Sequence, residues 1–441
     1  MGKKRIFYGW IVAFCCMLLA FSVNAMGNNG LSLYITPISE DLLISRTNIN
    51  TTLLSVGLFS RTIFGLFYGK LSNRFGIKRL MFIGCLLALL AYFIFYKATN
   101  MFMIALGSGI YGITHSIGTL SAYNTIINNW FNKRKGLVLG LIPVSVGLGG
   151  IVISPLVGGW IKNFGWNMSL LLTGIIIGVI AIPAISLIRI SPKEMGLTPY
   201  GEEETLPESK IVTNKTDLLG LKGAIHTLRF WFLVFVQLFF GLCFGPAFSS
   251  VTPTFIALGT SPEYVYGVLM VLVNVGVVIG SVTSGLIYDK YGLRTMILLI
   301  GGILGSGMIL MILPSVGNNY IISAITVLCI GYGNAMSLGT LAHYINNVFG
   351  FDSVDFSALF GTLFAVHNVG NMIGSPIYGR IFDLTGSYKF SYLLSASTLA
   401  LTLVLASIVI GMGKRKQAEK ERIFSEISMN MIPVINFNGP K

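Results

Sequence analysis

The sequence predicts an all-α membrane protein of twelve transmembrane helices, arranged as two parallel-repeat six-helix bundles. Three observations carry this expectation. Only 10% of the 441 residues are charged and 54% are hydrophobic, whereas soluble domains carry about 25% charged residues. Twelve apolar stretches approach the ~20 residues that cross a bilayer, six before and six after one long polar segment. Three short motifs of the first half recur in the second at nearly one offset.

A mean hydropathy of +0.78 leaves more apolar surface than a soluble core can hide, so the chain needs lipid as solvent. The 52 glycines suit helices that pack closely in a bilayer. The net charge of +14 comes from short clusters between apolar stretches, a pattern of membrane topology rather than of nucleic-acid binding. The five cysteines, Cys15, Cys16, Cys85, Cys243 and Cys329, all lie in apolar stretches without a C-x-x-C spacing. Metal, disulfide and redox chemistry are not indicated, and no cofactor is expected. The first apolar stretch follows Lys3, Lys4 and Arg5 without a cleavage site and is read as a retained span.

The spans run roughly over 8–30, 50–70, 79–97, 101–128, 136–159, 167–189, 229–258, 264–287, 294–314, 319–348, 356–379 and 389–412. They divide the chain into a first bundle (1–189), a linker (190–228), a second bundle (229–413) and a tail (414–441). The linker holds Pro192, Pro199, Pro207 and the run Glu202-Glu203-Glu204, with room for a short surface helix. The tail carries no packable pattern and is expected to be mobile. Of the 30 lysines and arginines, 24 fall within 3–5, 70–79, 133–135, 189–229, 290–294 and 414–441, all on one side. Arg46, Lys97, Lys162, Arg380 and Lys389 fall on the other. The bias predicts a multi-pass protein of the cytoplasmic (inner) membrane, with both termini and the linker cytoplasmic.

The repeat is explicit. Gly69-Lys70-Leu71-Ser72-Asn73-Arg74-Phe75-Gly76 follows span 2, and Gly285-Leu286-Ile287-Tyr288-Asp289-Lys290-Tyr291-Gly292 follows span 8, an offset of 216. Ser116, Gly118, Thr119, Leu120 and Tyr123 of span 4 recur as Ser337, Gly339, Thr340, Leu341 and Tyr344 of span 10, offset by 221. Ser154-Pro155 of span 5 recurs as Ser375-Pro376 of span 11, again at 221. Six spans is an even number, so the halves share one orientation. Such proteins bind their solute between the halves near the midplane.

The segment Gly69–Arg79, echoed by Gly285–Arg294, resembles the loop signature of the major facilitator superfamily, G-x-L-a-D-r-x-G-r-[KR]. Asn73 replaces the usual Asp of the first copy, and Thr295 a usual basic residue of the second. The resemblance implies a conformational latch at Gly69, Asn73, Arg74, Gly76, Arg79, Gly285, Asp289, Gly292 and Arg294. Physically, glycine permits close approach of helix ends, the basic residues hold the loop at an anionic membrane face, and Asp289 can pair with a cation or cap a helix.

A narrower likeness lies in Asn129-Trp130-Phe131-Asn132-Lys133-Arg134-Lys135-Gly136, in Ser191-Pro192-Lys193-Glu194-Met195-Gly196-Leu197, and in Phe382-Asp383-Leu384-Thr385-Gly386-Ser387-Tyr388. These resemble the oxalate/formate antiporter and bacterial monocarboxylate transporter branch. The branch implies a small organic anion, a mono- or dicarboxylate, moved by antiport or proton symport. It often carries a Lys twelve residues before the glycine matching Gly379, where His367 stands here, and an Arg in span 8, where Ser281 stands. Gly150–Gly159 resembles the span-5 signature of exchangers, with Ser154 in place of a Gly. Close helix contact with a proline bend accounts for those residues equally well.

Ionisable groups at membrane depth are functional candidates by default. Arg61 lies eight residues before Gly69, about 12 Å from that end of the helix at 1.5 Å per residue. It shares one face with Gly57, Gly65 and Gly69. It either attracts an anion or carries gating charge, or else bonds backbone carbonyls of a partner span. His367 sits at similar depth and suits proton coupling or anion recognition. His115 and His343 flank the repeated S-x-G-T-L. Tyr123, Asn124, Tyr344 and Asn368 are further cavity candidates beside Arg61, His367 and Ser281, and interhelical bonding is the alternative for each. Asn24, Asn28, Asn29, Asn274 and Asn371 are secondary wall residues.

The favoured reading is a secondary transporter. Its implied partners are a small solute, a proton or counter-substrate, and the bilayer, with no nucleic acid and a monomeric state. A carrier for another metabolite or a drug is the alternative, and a non-transporting nutrient sensor a remote one. An enzyme is not expected, because the spans hold no carboxylate pair and no nucleophile beside a base. No nucleotide-binding loop is present to drive transport with ATP.

Overall fold

The computed structural model describes residues 7–118, 120–133, 135–201, 221–333, 339–349 and 356–430. They are overwhelmingly helical, and the one β-bridge among them joins Phe131 to Tyr200. Seven helices are long and apolar enough to cross a membrane. Two long rods each contain two spans. Lys135–Leu187 breaks at Gly165 (φ 78°) and Met270–Leu310 at Gly292 (φ 79°). With Val56–Phe75, Met101–Gly118 and Leu120–Trp130, Tyr320–Gly333 and Gly339–Phe349, and Phe356–Thr385, the order is consistent with the twelve predicted spans. Large apolar side chains such as Val179 (68% exposed) and Leu286 (65%) face outward, as lipid contact requires.

The loop glycines explain part of the repeated motif. Gly76 (φ 80°) and Gly292 (φ 79°) take backbone conformations that side-chain-bearing residues rarely adopt, and each turns one span into the next. Helix packing repeats as well. A Cβ on Gly112 would collide with the Gly57 carbonyl, and one on Gly331 with the Val273 carbonyl, so span 4 lies on span 2 as span 10 lies on span 8. Gly149 meets the Phe21 carbonyl as Gly370 meets that of Leu238, pairing span 5 with span 1 and span 11 with span 7. These positions cannot hold a larger residue without parting the helices.

Among the described residues, three π-helical segments have no counterpart in the sequence reading. Asn50–Ser55 begins span 2 and Val265–Leu269 begins span 8, near the offset of the halves. The third, Ala20–Asn29, lies in span 1. A π register misaligns backbone groups that lipid cannot satisfy. In Ala20–Asn29 tyrosines satisfy two of them: Tyr111 donates to the Val23 carbonyl (2.6 Å) and Tyr92 to that of Met26 (3.4 Å).

The linker is anchored at its start. Trp130 Nε1 donates to the Arg189 carbonyl (2.8 Å) and Asn129 Nδ2 to that of Ile190 (3.2 Å). The Tyr200 amide donates to the Trp130 carbonyl (2.9 Å), and the Tyr200 carbonyl accepts from Asn132 and Lys133. The Asn129–Gly136 motif thus binds the chain on both sides of the Ser191–Leu197 motif and forms a cap on the first half, closed by Phe7, Trp10 and Phe131. Residues 202–220, with the predicted Glu202–Glu204 run, lie outside the described residues. The last helix runs from Lys389 through Asn430, so the first part of the tail is helical. A continuous run from the membrane end propagates helix where composition alone predicts none.

Candidate functional site

Spans 2 and 11 cross between the halves, and their contacts run antiparallel. Gly379 packs on Thr47, Ser55 Oγ donates to the Met372 carbonyl (2.8 Å), and Arg61 lies over the Phe364 ring, 5.1 Å from its centroid. Spans 5 and 8 mirror this crossing: Gly158 meets Tyr266, Gly150 meets Asn274, and Gly147 meets Val278. The Gly150–Gly159 run is therefore a close-contact seam. Asn274 belongs to that seam and donates to the Met270 carbonyl (2.7 Å) rather than lining a cavity. Asn371 likewise packs on Gly245 within the second half.

These contacts gather at the end opposite the termini. There Arg46 Nη1 donates to the Pro253 carbonyl (3.2 Å), and its guanidinium lies 4.4 Å over the Phe382 ring. Phe382 stacks on Tyr388 (4.6 Å). The Thr47 amide and hydroxyl donate to Asp383, Tyr266 donates to the Leu33 carbonyl (3.0 Å), and Lys162 pairs with Glu263 (3.1 Å). All of these contacts between the halves lie between this end and the depth of Arg61 and Phe364, so the halves are clasped at the end opposite the termini.

Arg61 and His367, singled out for their depth, come to one place. Arg61 is half-buried, and its carbonyl accepts from Ser116 Oγ (2.5 Å), fixing span 2 to span 4. Its side chain crosses to the other half. Phe364 stacks on His367 (6.1 Å, 12°), whose other neighbour is Phe240 of span 7 (5.6 Å, 33°). The His367 ring is buried and approaches the Gln237 backbone. His367 Nδ1 and Gln237 Oε1 have no hydrogen-bond partner among the described residues. Arg61 has no carboxylate partner among them either, and no Asp or Glu falls within the twelve predicted stretches.

The other expected site residues divide. Asn368 is buried beside His367. Tyr123 and Tyr344 are fully enclosed, and the Tyr123 hydroxyl has no partner among the described residues. Ser281 is half-buried, and its carbonyl accepts from Ser284 (3.0 Å). The Asn124 side chain lies outside the described residues, as do those of Asn28 and Asn29. His115 packs edge-on to Tyr111 (6.5 Å), and His343 stacks on Tyr288 (3.7 Å) inside the second half. Of the latch residues, Asn73, Arg74, Arg79, Asp289 and Arg294 are exposed and Gly285 faces open space.

The sequence reading missed Phe364, Phe240 and Gln237. A glutamine inside the run Phe235-Val236-Gln237-Leu238-Phe239 was a legible signal. Arg46 was counted only as one charge on the sparse side.

Comparison with known proteins places this geometry. Residues 17–357 match the Major Facilitator Superfamily. Monocarboxylate transporter 12 of Xenopus laevis is 23% identical over 319 residues, covering 69% of this chain and 67% of that one. The hexuronate transporter of Bacillus subtilis (strain 168) is 24% identical over 406 residues, covering 89% and 92%. Among solved structures, a D-xylose-proton symporter shares the fold with a TM-score of 0.69 at 15% identity, over 90% of this chain and 97% of that one. The chain belongs to the Major Facilitator Superfamily and is a multi-pass membrane transporter, not an enzyme.

Proposed function

We propose that the solute is a small organic anion, a mono- or dicarboxylate, moved by alternating access with a counter-substrate or a proton. In this reading the protein sits in the cytoplasmic membrane with both termini in the cytoplasm, and the clasped end faces away from it. One observation carries the substrate class. Arg61 is a cation at membrane depth, and no Asp or Glu lies in any predicted span to neutralise it. A charge left alone in a low-dielectric site is costly, and a carboxylate that arrives with the solute removes the cost through a charge-assisted pair.

Arg61 of the first half and His367 of the second face the same Phe364 ring. A bound anion would therefore touch both halves, and its binding would couple to their rocking. The relatives named for monocarboxylates and hexuronates favour an acid as well. The test is uptake into proteoliposomes of labelled carboxylates against their uncharged amides. Carboxylates should accumulate and amides should not. Equal uptake of both would overturn the anion reading.

A further inference from the structure

We infer that a groove between spans 9 and 12, at the terminus-bearing end, binds one anionic phospholipid, with the lipid phosphate on Arg294 and an acyl chain along the groove. The site is separate from Arg61 and independent of the solute. Span 9 follows the break at Gly292 within Met270–Leu310, and span 12 opens the helix Lys389–Asn430. Gly301 faces Leu403 and Gly305 faces Leu399, so the two spans run antiparallel. They meet tightly where a Cβ on Gly301 would come within 2.5 Å of Leu403 Cδ2. Nearer the terminus-bearing end lies a groove of about 300 Å³, lined by Arg294, Leu298, Leu403, Val404, Ser407 and Ile408. From Arg294 to the closure at Gly301 is about 10 Å of helix.

The first half holds an internal comparison. Lys78 is the counterpart of Arg294 at the repeat offset of 216. Its ammonium donates to the carbonyls of Ser186 (2.9 Å) and Ile188 (2.8 Å), where the helix of span 6 stops at Leu187. A helix end leaves such carbonyls without donors of its own. Span 12 continues as helix to Asn430 and offers no open carbonyls at this level. Among the described residues Arg294 accordingly has no hydrogen-bond or ion-pair partner. Ser407 Oγ donates to the Leu403 carbonyl (2.9 Å), so the guanidinium is the groove's free donor.

Charge and apolar surface together select the ligand. A guanidinium pairs with two phosphate oxygens at once. Leu298, Val404 and Ile408 are 44%, 57% and 45% exposed, and they continue the wall inward as hydrocarbon. A soluble anion would leave that wall uncovered, whereas an acyl chain covers it. Lys290 and Arg415 are exposed at the same end, and Arg415 lies two helical turns beyond Ile408 on the same face. They add positive charge that favours an anionic headgroup over a zwitterionic one.

The test is native mass spectrometry of the full-length protein in detergent, titrated with dioleoyl phosphatidylglycerol and, separately, dioleoyl phosphatidylcholine. The first phosphatidylglycerol should bind about 10-fold more tightly than the first phosphatidylcholine, as one charge-assisted pair provides. Arg294→Gln should abolish that preference. Leu298→Trp, which fills the groove and keeps the arginine, should weaken phosphatidylglycerol by a similar factor. Arg79→Gln removes an exposed cation at the same end of the first half and should leave binding unchanged. Glycerophosphoglycerol, the same headgroup without chains, should not displace the lipid. Equal binding of the two lipids, equal losses in Arg79→Gln and Arg294→Gln, full binding in Leu298→Trp, or displacement by the chain-free headgroup would each overturn the inference. If Arg294→Gln does not fold, the wild-type headgroup ratio and Leu298→Trp decide.

Discussion

Removing the Arg46 side chain should shift the resting conformation. Arg46→Ala loses the bond to the Pro253 carbonyl and the cation–π contact with Phe382, both of which join the first half to the second. A half-buried hydrogen bond of this kind contributes about 1 kcal/mol, and a partly exposed cation–π contact about 1 kcal/mol more. Both contacts bridge the halves, so both are lost when the clasped end opens. Their loss therefore penalises only the clasped conformer. A change of about 2 kcal/mol is about 30-fold in a conformational equilibrium.

A resting state about 97% clasped would move to near parity on that shift. The assay is a spin-label distance between Asn73→Cys and Lys290→Cys, two exposed positions in opposite halves at the terminus-bearing end, after replacement of the five native cysteines. Arg46→Ala should add a population at shorter distance. Glu263→Gln is the internal control. Lys162 and Glu263 are both well exposed, and such pairs contribute little, so this variant should leave the distribution unchanged. An unchanged distribution in a folded, monodisperse Arg46→Ala protein would refute the clasp.

Three further outcomes test the packing. Gly112→Ala should destabilise by about 1–3 kcal/mol, because the added Cβ meets the backbone carbonyl of Gly57 and has no side chain to displace. Thermal unfolding in detergent reads this, and Gly331→Ala should behave alike. Gly76→Ala should cost about 1–3 kcal/mol through strain at φ 80°, whereas Gly285→Ala, with open space around it, should leave the melting temperature unmoved. Trp130→Phe should cost about 1 kcal/mol by deleting the bond to the Arg189 carbonyl and should raise proteolysis of the linker near Tyr200.

Much of the fold was legible because lipid imposes simple rules. Apolar length marks a span, and the repeat offsets survive helix by helix into the Gly112–Gly57 and Gly331–Val273 contacts. Arg61 and His367 were legible for the same reason, since an ionisable group stands out in an apolar run. Their meeting was not. It depends on Phe364 and Phe240, and a phenylalanine in a span looks the same facing lipid, core or site. Asn274 and Asn371 show the converse, because a polar residue that lines a cavity and one that seats a glycine seam have the same local sequence. The π segments escaped because hydrogen-bond register leaves no mark in composition. Arg46 escaped because a charge in a loop serves topology until the structure shows what it touches.

The central claim is that Arg61 supplies the counter-charge for an anionic solute. Uptake of a carboxylate by proteoliposomes containing Arg61→Ala, Arg61→Lys or His367→Ala, each checked for folding, tests it most directly. The account predicts loss of uptake in Arg61→Ala and His367→Ala, with partial recovery in Arg61→Lys, which keeps the charge but not the planar fork. Wild-type uptake by Arg61→Ala would contradict it and leave the arginine as a structural tie between spans 2, 4 and 11.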